Sequence, residues 1–134
     1  SMSGGLARFR GETLPELLGF CKVMTDQGVT GLGEGSITSK EATLSAAIME
    51  HERYLMGKNP ADIELHWQAM FRWPRWRGGP MLNSAISAVE IALWDIVGKS
   101  LGVPIYKLLG GKARERVLAS SASGPAPSRA NRAE

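Results

Sequence analysis

The feature that most constrains the fold of this chain is an apolar stripe with helical spacing in the second half of the sequence. Leu82, Ile86, Val89, Leu93 and Ile96 recur at alternating intervals of four and three residues. This spacing places them on one face of an α-helix. The same face carries small apolar residues, namely Ala85, Ala88 and Ala92. The sequence therefore predicts a long helix with one buried side.

Glycine and proline delimit this helix at its C-terminal end. Gly102 is a typical residue for a helix end, Pro104 can open one further helical turn, and Gly110 and Gly111 stop that turn. Lys99 follows Asp95 at the spacing of a helical ion pair, which is worth only a few tenths of a kcal/mol when exposed.

A β-hairpin is predicted near the N-terminus. Residues 17–24 (LLGFCKVM) are apolar and partly alternating, residues 25–28 (TDQG) have turn chemistry, and residues 29–34 (VTGLGE) form the second arm. Residues 6–10 could add a third strand at the edge, so the sequence leaves a hairpin and a three-stranded sheet both open.

Two helices are predicted between the hairpin and the long helix. Thr38 stands three residues before Glu41, the spacing of a capping box, and predicts a helix over residues 39–55. Asn59 is then expected to cap a second helix, with Pro60 at its first position and its end near residue 72. The fold class is thus α+β: a small antiparallel sheet followed by a bundle of three to four helices.

Composition narrows the class of protein further. A chain of 134 residues with 43% hydrophobic residues is sized for one domain, and a net charge of +3 with dispersed basic residues favours no nucleic-acid partner. Cys21 is the single cysteine, and we find neither a long apolar run nor a signal sequence, so we expect a cytoplasmic protein that binds no membrane. Residues 1–5 (SMSGG) are typical of a tag remnant.

Several motifs imitate functional sites. Residues 31–36 (GLGEGS) resemble a dinucleotide fingerprint but lack its third glycine and its strand-to-helix setting, so we interpret them as a glycine-bent strand. Cys21, His51 and His66 have no metal-ligand spacing, and we expect His66 to be a hydrogen-bonded histidine inside its helix. Glu50 and Glu52 flank His51, but we expect adjacent helical residues to point to different faces. We therefore assign no metal site and no catalytic residue.

Four motifs resemble the N-terminal domain of the mandelate racemase and muconate-lactonizing branch of the enolase superfamily. They are TDQGVTGLGEG at residues 25–35, WRGGP at residues 76–80, SAISAVEIALWDIVGKSLGVPIYKLLGG at residues 84–111, and KARERV at residues 112–117. Within that branch, WRGGP and its spacing look most like the galactonate dehydratase-like sugar-acid dehydratases, with mannonate dehydratase-like members close behind.

The resemblance implies an enolase-like cap domain over residues 6–111. In the family, this cap folds over the mouth of a barrel, which needs about 250 residues. Residues 112–119 would supply at most its first strand. Residues 120–134 hold no large apolar side chain, so we expect a disordered tail there. The expectation is therefore a truncated cap domain that is inactive alone.

The chemistry implied by the resemblance lies on the barrel. Family enzymes use Mg²⁺ held by carboxylates at the ends of barrel strands to remove a proton next to a carboxylate, and dehydratases then lose water. No position of this sequence matches those ligands or bases. Mg²⁺ is therefore expected in the intact family enzyme and no cofactor in this chain, and a sugar-acid substrate is expected only together with a barrel.

Cap loops are the segments that the resemblance places at the substrate. They are represented here by Leu14 and Pro15 before the hairpin and by Ser36 and Ile37 after it. The aromatic and arginine-rich segment of residues 67–77 allows three interpretations, namely helix packing, a nucleic-acid stacking platform and a loop over the barrel mouth. We favour packing for its first half. For the second half we favour substrate contact, because a guanidinium group can fork onto a carboxylate; these residues are Arg75, Trp76 and Arg77.

Two alternatives to a cap domain remain open from the sequence. A cap without its barrel would expose apolar surface, so we expect a homo-oligomer that associates through the surface normally covered by the barrel. The chain would then act as a stand-alone interaction module. The second alternative is a gene fragment without function.

Overall fold

The computed structural model describes the backbone of residues 8–13 and the whole of residues 19–117. The predicted disordered tail, residues 120–134, and the predicted tag remnant, residues 1–5, lie outside the described residues. The element order begins with three strands, β1 (Arg8–Thr13), β2 (Gly19–Met24) and β3 (Thr30–Gly35). The helices α1 (Glu41–Glu50), α2 (Glu52–Leu55), α3 (Ile63–Arg72), α4 (Gly79–Leu101) and α5 (Ile105–Leu108) follow. The predicted α+β class is confirmed.

The sheet is antiparallel with the order β1-β2-β3. The predicted hairpin is confirmed as β2 and β3, in which Met24 pairs with Thr30 and Gly19 with Gly35. The third strand is present too, but it spans Arg8–Thr13 rather than residues 6–10. Alternate residues of β2 are buried, because α1 and α4 cover one face of the sheet and leave the other open.

The hairpin turn is held by one threonine. The Thr25 backbone N–H donates to the Val29 carbonyl at 3.0 Å, and the Val29 N–H donates to the Thr25 hydroxyl oxygen at 3.1 Å. Gly28 completes the turn at φ +78°, a left-handed conformation that glycine adopts without a steric penalty. The turn chemistry predicted for residues 25–28 is thus confirmed.

Strand β3 packs on α4 with almost no side chain between the two backbones. A Cβ added to Gly33 would lie 1.8 Å from the Ala88 carbonyl oxygen, and one on Gly31 would lie 2.0 Å from that of Ala92. Two residues of strand advance about 6.6 Å and four residues of helix about 6 Å, so the two repeats match. The strand predicted over these glycines is confirmed, and the structure shows a further role for them: they permit close approach of a helix.

The edge of β3 is covered by two side chains of α4. The Asp95 carboxylate accepts the Leu32 backbone N–H at 2.9 Å, and the Lys99 ammonium donates to the Thr30 carbonyl at 2.8 Å. The same two side chains form the predicted ion pair, with Nζ and Oδ2 2.5 Å apart. An uncovered edge strand invites pairing with another chain, and here the Leu32 N–H and the Thr30 carbonyl already have partners.

The first predicted helix, residues 39–55, is divided into α1 and α2 at His51. The His51 N–H bonds the Ile48 carbonyl at 3.1 Å, a three-residue step that interrupts the α-helical ladder. The capping box predicted for Thr38 and Glu41 is wrong. The Glu41 carboxylate instead accepts the Ser39 N–H at 3.0 Å, because Ser39 has φ +64° and breaks the geometry that a capping box needs.

The second predicted helix begins three residues later than expected. Asn59 caps a turn rather than the helix: its side-chain oxygen accepts the Ala61 N–H at 3.1 Å, an arrangement that competes with helix formation. Helix α3 starts after Asp62, which makes no side-chain cap bond, and it ends at Arg72 as predicted.

Helix α4 contributes the largest share of the buried core residues. The predicted stripe is buried from Ile86 to Ile96, whereas Leu82 is half-buried. Gly102 ends the helix at φ +66°, as the sequence predicts. By length and a mean hydropathy of 1.3 this helix could cross a membrane, but its packing against the sheet and the other helices accounts for its apolar content. The core residues outside α4 are Cys21, Val23, Leu44, Ile48, Leu55, Ile63 and Met70.

The end of the described chain has little regular structure. Helix α5 follows Pro104 as predicted, and residues 112–117 contain neither helix nor strand and are exposed. The remaining residues of the predicted first barrel strand, 118 and 119, lie outside the described residues.

Candidate functional site

A cleft of about 470 Å³ lies between the C-terminal end of α1, helices α2 and α3, and the loop of residues 73–78. Its floor is apolar and formed by Ala47, Met70 and Ile86. Its rim carries aromatic and charged side chains. A volume in this range is typical of pockets that bind small molecules, which makes the cleft the candidate site.

The aromatic wall of the cleft rests on a buried histidine. His66 is 1% exposed, its Nε2 lies 2.7 Å from the Asn59 carbonyl oxygen, and its Nδ1 lies 3.1 Å from the Tyr54 hydroxyl. Because a carbonyl only accepts, Nε2 is the protonated nitrogen, and in the neutral ring Nδ1 accepts the Tyr54 proton. The prediction of a hydrogen-bonded helix histidine is confirmed.

Tyr54 connects the buried His66 to the loop of residues 73–78. Its ring meets that of Trp73 edge-on, with centroids 5.1 Å apart, a favoured geometry for aromatic pairs. Burial, with a smaller contribution from the Asp62 carboxylate, raises the pKa of Tyr54. The phenol therefore stays protonated at neutral pH and keeps its hydrogen bond to His66.

The loop itself is a tight turn that presents its side chains outward. Arg77 donates from Nε to the Pro74 carbonyl at 3.4 Å, and Gly78 and Gly79 follow at φ +76° and +81°. Both glycines are in the left-handed region that other residues rarely adopt. Trp76, between the two arginines, is 81% exposed.

Three arginines and one acidic residue are among the residues that line the cleft. They are Arg53, Arg75 and Arg77, and Glu50. Within residues 19–117 the ion pairs are Lys99 with Asp95 and Lys112 with Glu115, so none of the three arginines is paired there. An excess of unpaired positive charge beside an apolar floor can attract an anion.

His51 adds a titratable group to the cleft. Burial lowers its pKa, and the neighbouring Glu50 carboxylate acts in the opposite direction with a smaller effect. The imidazole is therefore neutral at pH 7. Of the two glutamates that flank His51, Glu50 lines the cleft together with His51, whereas Glu52 does not.

The seven residues predicted to face a substrate are not all in one place. Arg75, Trp76 and Arg77 line the cleft. Ser36 is exposed and Ile37 half-buried, and the Ile37 carbonyl bonds the Lys40 N–H just before α1 begins. Helix α1 is about 15 Å long, so these two residues and the cleft lie near its opposite ends. Leu14 and Pro15 lie outside the described residues.

The sheet register nevertheless relates the two predicted cap loops to each other. Thr13 pairs with Gly19, and Gly19 pairs with Gly35. The chain therefore leaves β1 before Leu14 at the same end of the sheet at which it leaves β3 for Ser36. The sequence alone does not contain this alignment, because it depends on the pairing of three strands.

Sequence reasoning missed Arg53, His51 and Tyr54 as cleft residues. They come from the segment around the α1–α2 break, whereas the predicted arginines follow α3. The contact that brings this segment to the cleft is the hydrogen bond of Tyr54 with His66, twelve residues apart. A single sequence does not reveal such a pairing.

The side chains of the described part of the chain do not form a metal centre. Among residues 19–117 no group of three or more His, Cys, Asp or Glu side chains is placed to hold an ion. The Cys21 thiol is buried in the core, and burial raises its pKa to about 12. It is therefore a poor ligand and a poor nucleophile at neutral pH.

Comparison with known protein families gives a match over most of the described residues. The family described as mandelate racemase / muconate lactonizing enzyme, N-terminal domain, matches residues 13–110. A D-galactonate dehydratase of Pectobacterium atrosepticum is 47% identical over 108 residues, which are 81% of this chain and 28% of that protein. A D-galactonate dehydratase of Ralstonia pickettii is 50% identical over 104 residues, 78% of this chain and 27% of that protein. The chain thus spans little more than a quarter of these relatives.

Solved structures agree with this match. An enolase from Pantoea ananatis with bound D-gluconate and Mg is 36% identical, with a TM-score of 0.73 over 83% of this chain and 28% of that chain. A member of the enolase superfamily from Salmonella Typhimurium is 31% identical, with a TM-score of 0.79 over 84% of this chain and 30% of that chain.

Proposed function

Because this chain belongs to the mandelate racemase / muconate lactonizing enzyme N-terminal domain family, we propose that it forms the capping domain of a sugar-acid dehydratase-like enzyme. The observation that carries the proposal is the 47–50% identity to D-galactonate dehydratases over 78–81% of this chain. The expected substrate is an aldonate such as D-galactonate. The contribution of the domain is to enclose the substrate and to select it.

The substrate-facing part of the proposal rests on the alignment of two loops. The β1–β2 and β3–α1 connections leave the sheet at one end, where Thr13, Gly19 and Gly35 are in register. Leu14, Pro15, Ser36 and Ile37 would then close over the substrate. Strand β3 packs closely on α4 up to Gly35, and we expect this packing to support the two loops; a rigid support reduces the entropy lost when a loop closes on its ligand.

Proton abstraction and metal binding are not part of this contribution. Among residues 19–117 no group of three or more His, Cys, Asp or Glu side chains is placed to hold an ion, and in this proposal we assign no chemical step to them. We therefore expect the capping domain by itself to have no turnover, with the catalytic groups supplied by a barrel domain.

A chimera tests the proposal. Residues 13–110 of this chain replace the matching segment of the Pectobacterium atrosepticum enzyme, and dehydration of D-galactonate and D-gluconate is measured with the chimera and with the 134-residue chain alone. We expect activity from the chimera and none from the chain. Turnover by the chain alone would contradict the assignment of chemistry to the barrel. A folded but inactive chimera would contradict the capping role.

A matched pair of variants in the chimera locates the selectivity. Replacing Ile37 with alanine is expected to raise KM for D-galactonate with little change in kcat, because the loop contributes binding and no chemistry. Replacing Leu65, which is exposed on α3, with alanine serves as the control and is expected to change neither constant.

Self-association is a second candidate function, favoured by the apolar surface around α5. Leu101, Leu109 and Val117 are each more than half exposed, and apolar surface of this kind tends to be covered by a partner. Sedimentation equilibrium over a wide concentration range tests whether a second copy of the chain covers it. A strictly monomeric species at high concentration contradicts this candidate.

A further inference from the structure

The cleft beside the loop of residues 73–78 has features that the proposed enclosure of a substrate by the sheet-end loops does not use. It lies near the C-terminal end of α1, whereas Ser36 and Ile37 precede the N-terminal end of that helix. We infer that this cleft is a separate binding site for a small polyhydroxy carboxylate. The choice of a sugar acid as the ligand rests on the proposed function, whereas the existence of an anion site rests on the cleft itself.

The charge of the cleft favours an anion. Arg53, Arg75 and Arg77 line it, Glu50 is its acidic residue, and neutral His51 does not offset the balance at pH 7. None of the three guanidinium groups is in an ion pair within residues 19–117. Apart from the Arg77 Nε–H, which donates to the Pro74 carbonyl, their N–H donors can bind a carboxylate, which accepts two parallel hydrogen bonds from one guanidinium group.

The walls of the cleft suit the carbon chain of such a ligand. Trp73 and Trp76 are 72% and 81% exposed, and both line the cleft together with Phe71. Indole faces can cover the C–H faces of a polyol, while hydroxyl groups remain toward water. Pockets that combine apolar walls with a few polar groups typically bind small ligands in one orientation.

The cleft is also preorganised. Trp73 is held by the edge-on contact with Tyr54, and Tyr54 is held by the buried His66. Arg77 is oriented by its bond to the Pro74 carbonyl. A ligand would therefore meet a loop that is held at Trp73 and closed by the Arg77–Pro74 bond, and binding would lose less entropy in ordering it.

Titration calorimetry and NMR with the 134-residue chain test the inference. The probes are D-galactonate, D-gluconate, galactitol, which has the hydroxyl groups but no carboxylate, and inorganic phosphate, which is an anion without a carbon chain. We expect the two aldonates to bind and to shift the indole N–H signals of Trp73 and Trp76. The signal of Trp94, which lies on α4 outside the cleft, should stay unchanged. Galactitol should bind at least about tenfold more weakly, because it lacks the charged acceptor.

Variants assign the binding to the arginines. Arg75→Gln and Arg77→Gln should each weaken D-galactonate binding by about tenfold. Arg72→Gln is the matched control, since Arg72 is exposed on the same segment but does not line the cleft; it should leave the affinity unchanged. Unchanged amide spectra of the variants show that each is folded.

The outcomes separate this inference from the proposed function. Absence of aldonate binding, equal binding of phosphate, or shifts at Ser36 and Ile37 instead of the indoles would overturn the inference. An active chimera combined with a cleft that binds nothing would mean that the inference fails alone. An inactive chimera combined with arginine-dependent binding would mean that the proposed function fails alone.

Discussion

Helix α4 borders two regions of opposite character. On one side it meets β3, where Gly31 and Gly33 leave no room for even a methyl group. At its N-terminal end it follows the loop of residues 73–78, where Trp76 and two arginines extend into solvent. The first region is a close backbone contact without side chains between strand and helix, and the second is a surface with large exposed side chains. Residues that hold the fold together are thus separable from residues that are available to a ligand, and substitutions should divide in the same way.

The largest effect is expected at the glycine contact. In Gly33→Ala the new Cβ would lie 1.8 Å from the Ala88 carbonyl oxygen, and a backbone atom cannot move aside without separating strand and helix. We expect a loss of at least about 3 kcal/mol in the free energy of unfolding, as for severe overpacking of a core. Urea unfolding followed by tryptophan fluorescence measures it.

Gly35→Ala provides the graded control for that change. Its Cβ would lie 3.1 Å from the Ser84 carbonyl oxygen, so a small shift relieves the contact, and the expected loss is about 1 kcal/mol. Equal stabilities for the Gly33 and Gly35 variants would break the argument that β3 and α4 are in backbone contact.

Alkaline pH should weaken the same core through Cys21. Burial raises the pKa of its thiol to about 12 from an ordinary 9.0, so the folded state disfavours the thiolate. The stability that the protonated Cys21 thiol contributes is fully present below pH 9 and is lost as the pH rises toward 12. At pH 10.5 we expect the chain to have lost about 2 kcal/mol more than Cys21→Ala, relative to pH 8. Unfolding curves at the two pH values measure this difference, and identical losses in the two proteins would show that the thiol is not buried.

Removing the hydrogen bond between Tyr54 and His66, which supports the cleft, should have an intermediate effect on the free energy of unfolding. Tyr54→Phe removes the hydroxyl that bonds His66 at 3.1 Å, and a lost hydrogen bond of this kind costs about 1 kcal/mol. Tyr106→Phe, at an exposed tyrosine on α5, is the control and should be neutral. If Tyr54→Phe is also neutral in urea unfolding, the anchoring of the loop through His66 is wrong.

The smallest effect on stability is expected from the arginines. Arg75→Gln and Arg77→Gln together should change the free energy of unfolding by less than about 0.5 kcal/mol, because both side chains are exposed and the bond from Arg77 to the Pro74 carbonyl is long, at 3.4 Å. The same urea titration measures it. A loss above about 1 kcal/mol would assign these arginines to the fold and would remove the distinction between the two regions.

Local patterns predicted the elements of the fold well where the physics is local. The stripe from Ile86 to Ile96, the helix end at Gly102 and the turn at Gly28 all follow from periodicity or from the backbone freedom of glycine. The predicted helix starts at Thr38 and Asn59 failed because competing local hydrogen bonds use the same polar side chains. The backbone conformation that packing imposes decides which of these hydrogen bonds forms, and a rule based on residue spacing cannot predict that conformation.

The candidate site was predictable only in part. Arg75, Trp76 and Arg77 were identifiable as an unusual cluster with the chemistry to hold a carboxylate, and they do line the cleft. Arg53 and His51 were not, because their position opposite the loop depends on how α1 and α3 pack against α4. Ser36 and Ile37 belong to the other end of α1, a separation that no motif expresses.

By itself, the sequence determined the α+β class and the buried face of the long helix, because both depend on residue types at short, regular spacings. It also indicated the family, through the resemblance of its motifs to known members. The tertiary structure alone decided why the glycines of residues 31–35 are there, what Asp95 and Lys99 bond, and which arginines share a cleft. Those properties arise between segments up to 69 residues apart, and the distance between two such segments is set by the packing of everything that lies between them.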